Sequence, residues 1–183
     1  SKPFLRKPIF KLMNDIFGVD LSSSDEQALS DLCKKNGLDV EKDATYGQLL
    51  DELMKHIVEP TLIQPTFVTD YPKAISPLAK GHRNGNSELV ERFELFIAGT
   101  EFANSFTELN DPIDQRERFE MQARLLREGD EEAHPIDEQF LEAMETGMPP
   151  TGGVGIGIDR LVMLITGQRW IKDVILFPTL RSV

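Results

Sequence analysis

Apolar residues in the first third of the chain recur at helical spacing. Within 7–17 they fall three or four positions apart, which is the repeat of an amphipathic helix. A run of polar capping residues at 22–26 opens a second helix that continues to about residue 35, and 45–57 repeats the helical spacing. We therefore predict a segment of packing helices over 1–62, followed by a second segment, 63–183, that contains the strands.

Two extended runs in the second segment predict a β-hairpin. Residues 90–98 are rich in β-branched, aromatic and aliphatic side chains, Gly99 offers a turn, and 100–109 continues as an extended stretch. Three carboxylates are embedded in this apolar sequence, at Glu94, Glu101 and Glu108.

The alternation of a strand places Glu94 and Phe96 on one face. If Ala98 and Gly99 form a two-residue turn, Phe96 pairs with Glu101, and Glu94 lies diagonally from Glu101 on that face, about 7–8 Å away. Mg²⁺ suits such a pair, because it prefers oxygen ligands and bridges carboxylates to substrate phosphates. The alternative, from this stretch alone, is two solvated glutamates on an exposed face.

Strict alternation places three further polar or aromatic candidates on the face opposite Glu101, namely Asn104, Phe106 and Glu108. In that regular ladder Glu94 would pair with Ala103. A one-residue β-bulge between Glu101 and Asn104 would bring both sets to one face. We predict this bulge.

Glycines alternate with branched residues later in the chain, at Gly153, Gly155 and Gly157. A strand with bare backbone on one face lets a flat ligand approach closely, while its branched side chains are expected to pack into the core. The stretch is not a dinucleotide-binding fingerprint, because Ile158 stands where a third glycine is required. It is not a P-loop, because no Gly-Lys-Ser/Thr follows.

Arg160 falls in the first turn of a helix predicted to run through 161–166, where an arginine and free N–H groups suit a polyphosphate. The alternative is a close-packed glycine strand with Arg160 in a surface ion pair, and the motif alone leaves both open. Residues 175–178 predict a buried strand end or a hydrophobic dock. Between hairpin and glycine strand we predict a charged helix over 114–128 and an acidic loop over 129–133.

Composition narrows the class of protein. The chain has 183 residues, 40% hydrophobic and 28% charged, and no run long enough for a membrane span. Its single cysteine excludes an internal disulfide and a cysteine-based metal cluster, which fits a reducing, cytoplasmic setting. The net charge of −11 argues against a main docking surface for nucleic acid.

These stretches together resemble a known family. GGVGIGIDRLVMLITG with ILFP downstream resembles motif 3 of the class II aminoacyl-tRNA synthetases, and ERFELFIAGTEFANSFTELNDPIDQRERF looks like the amino-acid-binding strands of the lysyl-tRNA synthetases. The resemblance covers essentially the whole chain. It implies an α+β fold, an antiparallel sheet flanked by helices, which uses ATP and Mg²⁺ to activate lysine and transfer it to tRNA(Lys).

The resemblance also implies roles for individual residues. Glu94 and Glu101 would hold Mg²⁺ and ATP. Gly155 and Gly157 would let adenine approach, and Arg160 would clamp the γ-phosphate as the catalytic residue. The lysine pocket would be lined by three residues: Asn104 at the main-chain end, Phe106 packed on the ligand, and Glu108 facing the ammonium.

The family's motifs 1 and 2 and its anticodon-binding domain have no counterpart in the sequence. We therefore expect the C-terminal portion of a catalytic domain, inactive or nearly so alone, from a parent that is a homodimer. Two alternatives stay open. One is a paralogue that lysylates elongation factor P, and the other is a non-catalytic synthetase-like binding module.

Overall fold

The computed structural model describes residues 3–127, 133 and 135–178. Five strands form one sheet in chain order, with neighbouring strands hydrogen-bonded. They are β1 (Leu5–Pro8), β2 (Thr66–Thr69), β3 (Arg92–Ile97), β4 (Thr100–Thr107) and β5 (Gly152–Ile156). The pairings are antiparallel except for β1 with β2, which is parallel. The sheet is therefore mixed rather than wholly antiparallel.

Helices flank this sheet, so the predicted α+β class is confirmed. They are α1 (Ile9–Phe17), α2 (Glu26–Lys35), α3 (Tyr46–Leu53), α4 (Pro112–Arg127), α5 (Glu138–Glu145) and α6 (Ile158–Thr166). A π-helical turn, Met54–Val58, extends α3, and single 3₁₀ turns occur at Glu59–Thr61, Lys73–Ile75 and Ile171–Asp173. The predicted last residue of α4, at 128, lies outside the described residues, as does the acidic loop except for Ala133.

Capping residues fix the ends of the early helices. The Asp25 side chain accepts a hydrogen bond from the Ala28 amide at the start of α2, and Thr45 forms a reciprocal capping box with Gln48 at the start of α3. Such caps satisfy amides that have no partner within the helix. The first helix begins at Ile9 rather than 7, because the residues before it join the sheet as β1.

The hydrophobic core lies between α1–α3 and the strands β2 and β3, a region we call the packed half. Its fully buried side chains include Ile9, Met13, Leu29, Leu50, Leu53, Val68 and Phe96. The tip of the hairpin is tied to the same region, because the Ala98 and Gly99 amides donate to the carbonyls of Ile63 and Leu62. The hairpin is therefore held by the core at its base and by backbone hydrogen bonds at its tip.

The opposite end of the sheet, residues 152–177, we call the open edge. Val154 and Ile156 are 65% and 56% exposed, so the expectation that they pack into the core is wrong within this chain. Leu176 and Phe177 are 89% and 92% exposed, so the predicted buried strand end is wrong as well. Among the residues described, no element covers the Val154 and Ile156 side of β5 or packs against Leu176 and Phe177.

No helix in the described part of the chain is both long and apolar enough to cross a membrane.

Candidate active site

The β3–β4 hairpin turns through Ala98 and Gly99, which both have positive φ, 54° and 73°. This is the geometry of a two-residue type I′ turn. Phe96 pairs with Glu101, as predicted. One step further the register shifts, Leu95 pairs with Ala103, and Phe102 is the extra residue.

The shift is the predicted β-bulge. Because of it, Glu94 pairs with Asn104 rather than with Ala103, and Arg92 pairs with Phe106. Directly paired residues share a face of the sheet. The bulge therefore brings Asn104 and Phe106 to the face of Glu94 and Glu101.

The glycine strand completes this face. Strand β5 pairs Gly155 with Asn104 and Gly153 with Phe106, so these two glycines lie on the same side of the sheet as Asn104 and Phe106. Val154 is on the other side, paired with Ser105. We call this surface of polar side chains and bare backbone the site face.

Glu94 is the most constrained carboxylate of the site face. Its side chain is 13% exposed. One of its oxygens accepts a hydrogen bond from the Arg92 guanidinium and the other from the Tyr71 hydroxyl at 2.7 Å. Burial and the neighbouring Glu94 raise the pKa of Tyr71, so its hydroxyl keeps its proton and remains a donor.

The surroundings of Glu94 and Glu101 are electronegative. Burial raises the pKa of Glu59, and the charge of Glu94 raises it further, with smaller contributions from Asp51 and Glu101. Burial likewise raises the pKa of Asp51. Glu59 and Asp51 thus add two further carboxyl groups to the surroundings of Glu94.

Arg160 contacts Glu101. Its Nη1 donates to the Glu101 carbonyl oxygen at 2.6 Å and lies 3.5 Å from the Glu101 carboxylate. Both side chains are partly exposed, at 46% and 37%. The ion-pair alternative left open by the sequence is thus observed in this structure, and the phosphate contact of Arg160 stays a prediction.

Glu108 follows β4 and is partly desolvated, which raises the pKa of its carboxyl group. A Cβ atom added at Gly153 would lie 2.1 Å from Glu108 Oε1, so the carboxylate occupies the space that this glycine leaves free. Among the residues described, no side chain forms a salt bridge with Glu108 within 4.0 Å. Within the described part of the chain, Glu108 is thus a carboxylate without a cationic partner.

The other two glycines differ in their surroundings. A Cβ atom at Gly157 would lie 3.3 Å from Arg160 Cδ, whereas one at Gly155 would meet only the Asn104 carbonyl oxygen at 3.8 Å. Packing among the described residues therefore gives no reason for glycine at Gly155. Open space above this residue fits close approach of a flat ligand.

Sequence reasoning missed three contributors: Tyr71, Arg92 and Gly153. Arg92 carried a usable signal, because period-two alternation puts it on the same face as Glu94. Gly153 was seen only as part of the glycine pattern. Tyr71 precedes Glu94 by 23 residues, and no local pattern links the two.

Comparison with known proteins adds to this geometry. The family described as tRNA synthetases class II (D, K and N) matches residues 1–181. The chain belongs to this family. Within it, the lysine–tRNA ligase of Porphyromonas gingivalis strain ATCC 33277 is 50% identical over 179 residues, which is 98% of this chain and 31% of the relative.

Two further class II relatives are similar. The lysine–tRNA ligase of Shouchella clausii is 55% identical over 90% of this chain and 33% of its own length. That of Oceanobacillus iheyensis is 52% identical over 97% of this chain and 36% of its own length. The chain spans about a third of the length of the curated relatives it matches.

Proposed function

We propose that this chain supplies the lysine- and ATP-binding face of a lysine–tRNA ligase. The reaction is lysine plus ATP giving lysyl-adenylate and pyrophosphate, followed by transfer to tRNA(Lys). The observation that carries the proposal is the bulge-dependent gathering of Glu94, Glu101, Asn104 and Phe106 on one face beside a glycine strand. The printed names of the three relatives support it.

Glu108 would select the substrate side chain. A partly desolvated carboxylate with no cationic partner is completed by an ammonium group, and substrates lacking that charge would leave it unpaired. Phe106 would pack along the aliphatic part of lysine. Asn104 would contact its main-chain end. Its amide oxygen already accepts a hydrogen bond from Arg92 Nε at 3.2 Å, so its NH₂ group is available as a donor.

The nucleotide would lie at the Glu94 and Glu101 end of the site face. In the described part of the chain no group of three or more Asp, Glu, His or Cys could hold a metal ion alone. Two carboxylates fit Mg²⁺ bound together with substrate phosphates, which complete its coordination. When bound, the ion would neutralise phosphate charge.

Gly155 and Gly157 would give adenine access to the backbone. Arg160 would exchange its contact with the Glu101 carboxylate for the γ-phosphate, a change that its exposed position permits.

The chain's residues would act by orientation and charge stabilisation. The lysine carboxylate attacks the α-phosphorus, pyrophosphate leaves, and no side chain has to act as a nucleophile. Binding of tRNA(Lys) and a homodimeric arrangement are proposed for a longer protein, since the relatives are about three times as long as the matched region. Alone, the chain is expected to be inactive or nearly so.

The test is lysine-dependent ATP–pyrophosphate exchange in a hybrid enzyme. In this hybrid the 179 matched residues of the Porphyromonas gingivalis relative are replaced by those of the present chain. The proposal is supported if exchange requires lysine and is lost in Glu108→Gln. Exchange should persist in the control Glu138→Gln, because Glu138 is an exposed glutamate on α5. A silent hybrid contradicts the proposal. Exchange without transfer to tRNA(Lys) would instead favour a paralogue with another acceptor.

A further inference from the structure

The guanidinium of Arg92 has an unusual number of internal partners. Its side chain is 17% exposed. It donates to the Glu94 carboxylate, the Asn104 amide oxygen, the Ile75 carbonyl at 2.8 Å and the Ser76 hydroxyl at 2.9 Å. An arginine has five N–H donors in a rigid planar fork. Four of them are engaged by the protein itself, so Arg92 is not arranged to bind phosphate.

The ring of Tyr71 packs against the Arg92 guanidinium. The Arg92 guanidinium carbon lies 4.7 Å from the centre of the Tyr71 ring, a distance typical of a cation–π contact. The Tyr71 hydroxyl binds the Glu94 oxygen that Arg92 does not use. Arg92, Tyr71 and Glu94 therefore form a closed triangle in which each side chain contacts the other two.

The backbone behind Arg92 is itself anchored. Arg118, a 5% exposed residue of α4, donates to the carbonyls of Ser76 at 3.3 Å and Ala79 at 2.7 Å. Its charge is balanced by Asp114, with two hydrogen bonds of 2.8 Å. Two of the four acceptors of Arg92, the Ile75 carbonyl and the Ser76 hydroxyl, thus lie in a segment that the buried Arg118 also holds.

We propose that Arg92 is a positioning residue that sets Glu94 and Asn104 in one fixed relation, so that the nucleotide and lysine halves of the site are oriented together. The inference rests on the function proposed above. Arg92 bonds Glu94 through Nη2 and Asn104 through Nε. It therefore fixes the rotamer of the carboxylate and also which end of the amide faces the ligand. A lysine side chain at position 92 could not replace it, because its compact ammonium group cannot reach the Glu94 carboxylate and the Asn104 amide oxygen together.

The experiment compares Arg92→Lys with Arg116→Lys in the hybrid enzyme. Arg116 also forms a two-bond pair with a glutamate, Glu138, but on the exposed surface of α4 and α5. In Arg92→Lys we expect KM to rise about tenfold or more for both lysine and ATP, and kcat/KM to fall about 100-fold. Arg116→Lys should stay within about twofold of the parent hybrid.

Two single variants separate positioning from general damage. Asn104→Ala should raise KM mainly for lysine, and Glu94→Gln mainly for ATP, whereas Arg92→Lys raises both. Adding Asn104→Ala to Arg92→Lys should raise KM for lysine by less than the product of the two single effects, because they act through one contact. The Arg92→Lys variant could melt at a lower temperature and still keep both KM values at an assay temperature where it is folded. That result would overturn the inference.

A second measurement needs no activity. In ¹H–¹⁵N spectra of this chain, the side-chain NH₂ signals of Asn104 should move in Arg92→Lys and stay in place in Arg116→Lys. If the parent hybrid shows no exchange, the proposed function fails and the spectra still decide whether Arg92 orients Asn104. Unmoved Asn104 signals in Arg92→Lys would contradict the positioning role.

Discussion

The packed half and the open edge contain the same kinds of apolar side chain but differ in how far these side chains are buried. Leu50 in the packed half is fully buried, and Leu176 on the open edge is 89% exposed. Helix α1 buries Ile9, Leu12 and Met13, whereas no residue of α6 is buried. Apolar content alone therefore does not decide burial. What decides it is whether a partner surface lies opposite.

The two regions also give the site face different kinds of group. The packed half supplies Glu94, whose side chain is 13% exposed and is held by two donors. The open edge supplies bare glycine backbone and Arg160, which is half exposed and, among the residues the structure describes, has its side chain bonded to Glu101 alone. The first group is preorganised, and the second has room to change partner. The site face thus joins a carboxylate held by two donors to a cation that is about half exposed.

The largest effect should come from the core. Leu50→Ala removes a fully buried side chain, so it should lower the free energy of unfolding by about 2–5 kcal/mol. Ile156→Lys, on the open edge, should change it by about 0.5 kcal/mol or less, because Ile156 is already 56% exposed. Denaturant unfolding of both variants measures the contrast, and similar losses would mean that the open edge is packed in solution.

The next effect concerns Gly153, the glycine next to the Glu108 carboxylate. Gly153→Ala places a Cβ atom where Glu108 Oε1 lies, so the carboxylate must move. We expect KM for lysine in the hybrid enzyme to rise about tenfold, equivalent to about 1.4 kcal/mol, with little change in stability because a flexible side chain can shift. Gly152→Ala is the matched control, since a Cβ atom there meets nothing within 4 Å. Equal KM values for the two variants would contradict this role of Gly153.

A smaller effect lies at the hairpin turn. Ala98 has φ 54°, a conformation that costs an alanine about 1 kcal/mol and a glycine little. Ala98→Gly should therefore raise the free energy of unfolding by about 1 kcal/mol. Gly99→Ala should lower it, because Gly99 has φ 73° and a Cβ atom there would lie 3.4 Å from Pro60 Cα. Thermal melts of the two variants should move in opposite directions.

The smallest effect depends on pH. Hydrogen bonds from Arg83, with one from Thr107, lower the pKa of Glu91 to about 2. A carboxyl with a lowered folded-state pKa adds stability above its unfolded value, about 4.3, and loses it as pH falls toward 2. Arg83→Met should flatten the decline in stability between about pH 4.5 and 2. Water screens the exposed Arg83, so the change should be small, and an unaltered pH profile would show that the pair contributes nothing.

Local patterns predicted much of the site face. Alternation of apolar and polar residues fixed the hairpin, and the Phe96–Glu101 pair followed from a two-residue turn at Ala98 and Gly99. The bulge was predicted only because the candidate residues otherwise faced opposite ways. Glycine spacing predicted a strand with one bare face, and the pairing of that strand with Asn104 came only from the structure.

Long-range partners were beyond local patterns. Strand β1 has only four residues, LRKP, directly before a helix, and it gained a strand conformation from pairing with β2. The branched side chains on one face of β5 indicated that this face is buried. A periodic pattern cannot tell whether the surface that buries it belongs to the same chain. The Tyr71–Glu94 contact joins positions brought together only by the β2–β3 pairing.

The bulge at Phe102 has a consequence for how this hairpin can change in evolution. Removing one residue from β4 after the bulge would reverse the inward and outward positions of every residue beyond it. Removing Phe102 would not, because the pairs on either side of it, Phe96 with Glu101 and Leu95 with Ala103, would simply become consecutive. Phe102 is therefore a position where a lineage could lose one codon and keep Glu94 and Glu101 on the same side of the sheet as Asn104 and Phe106.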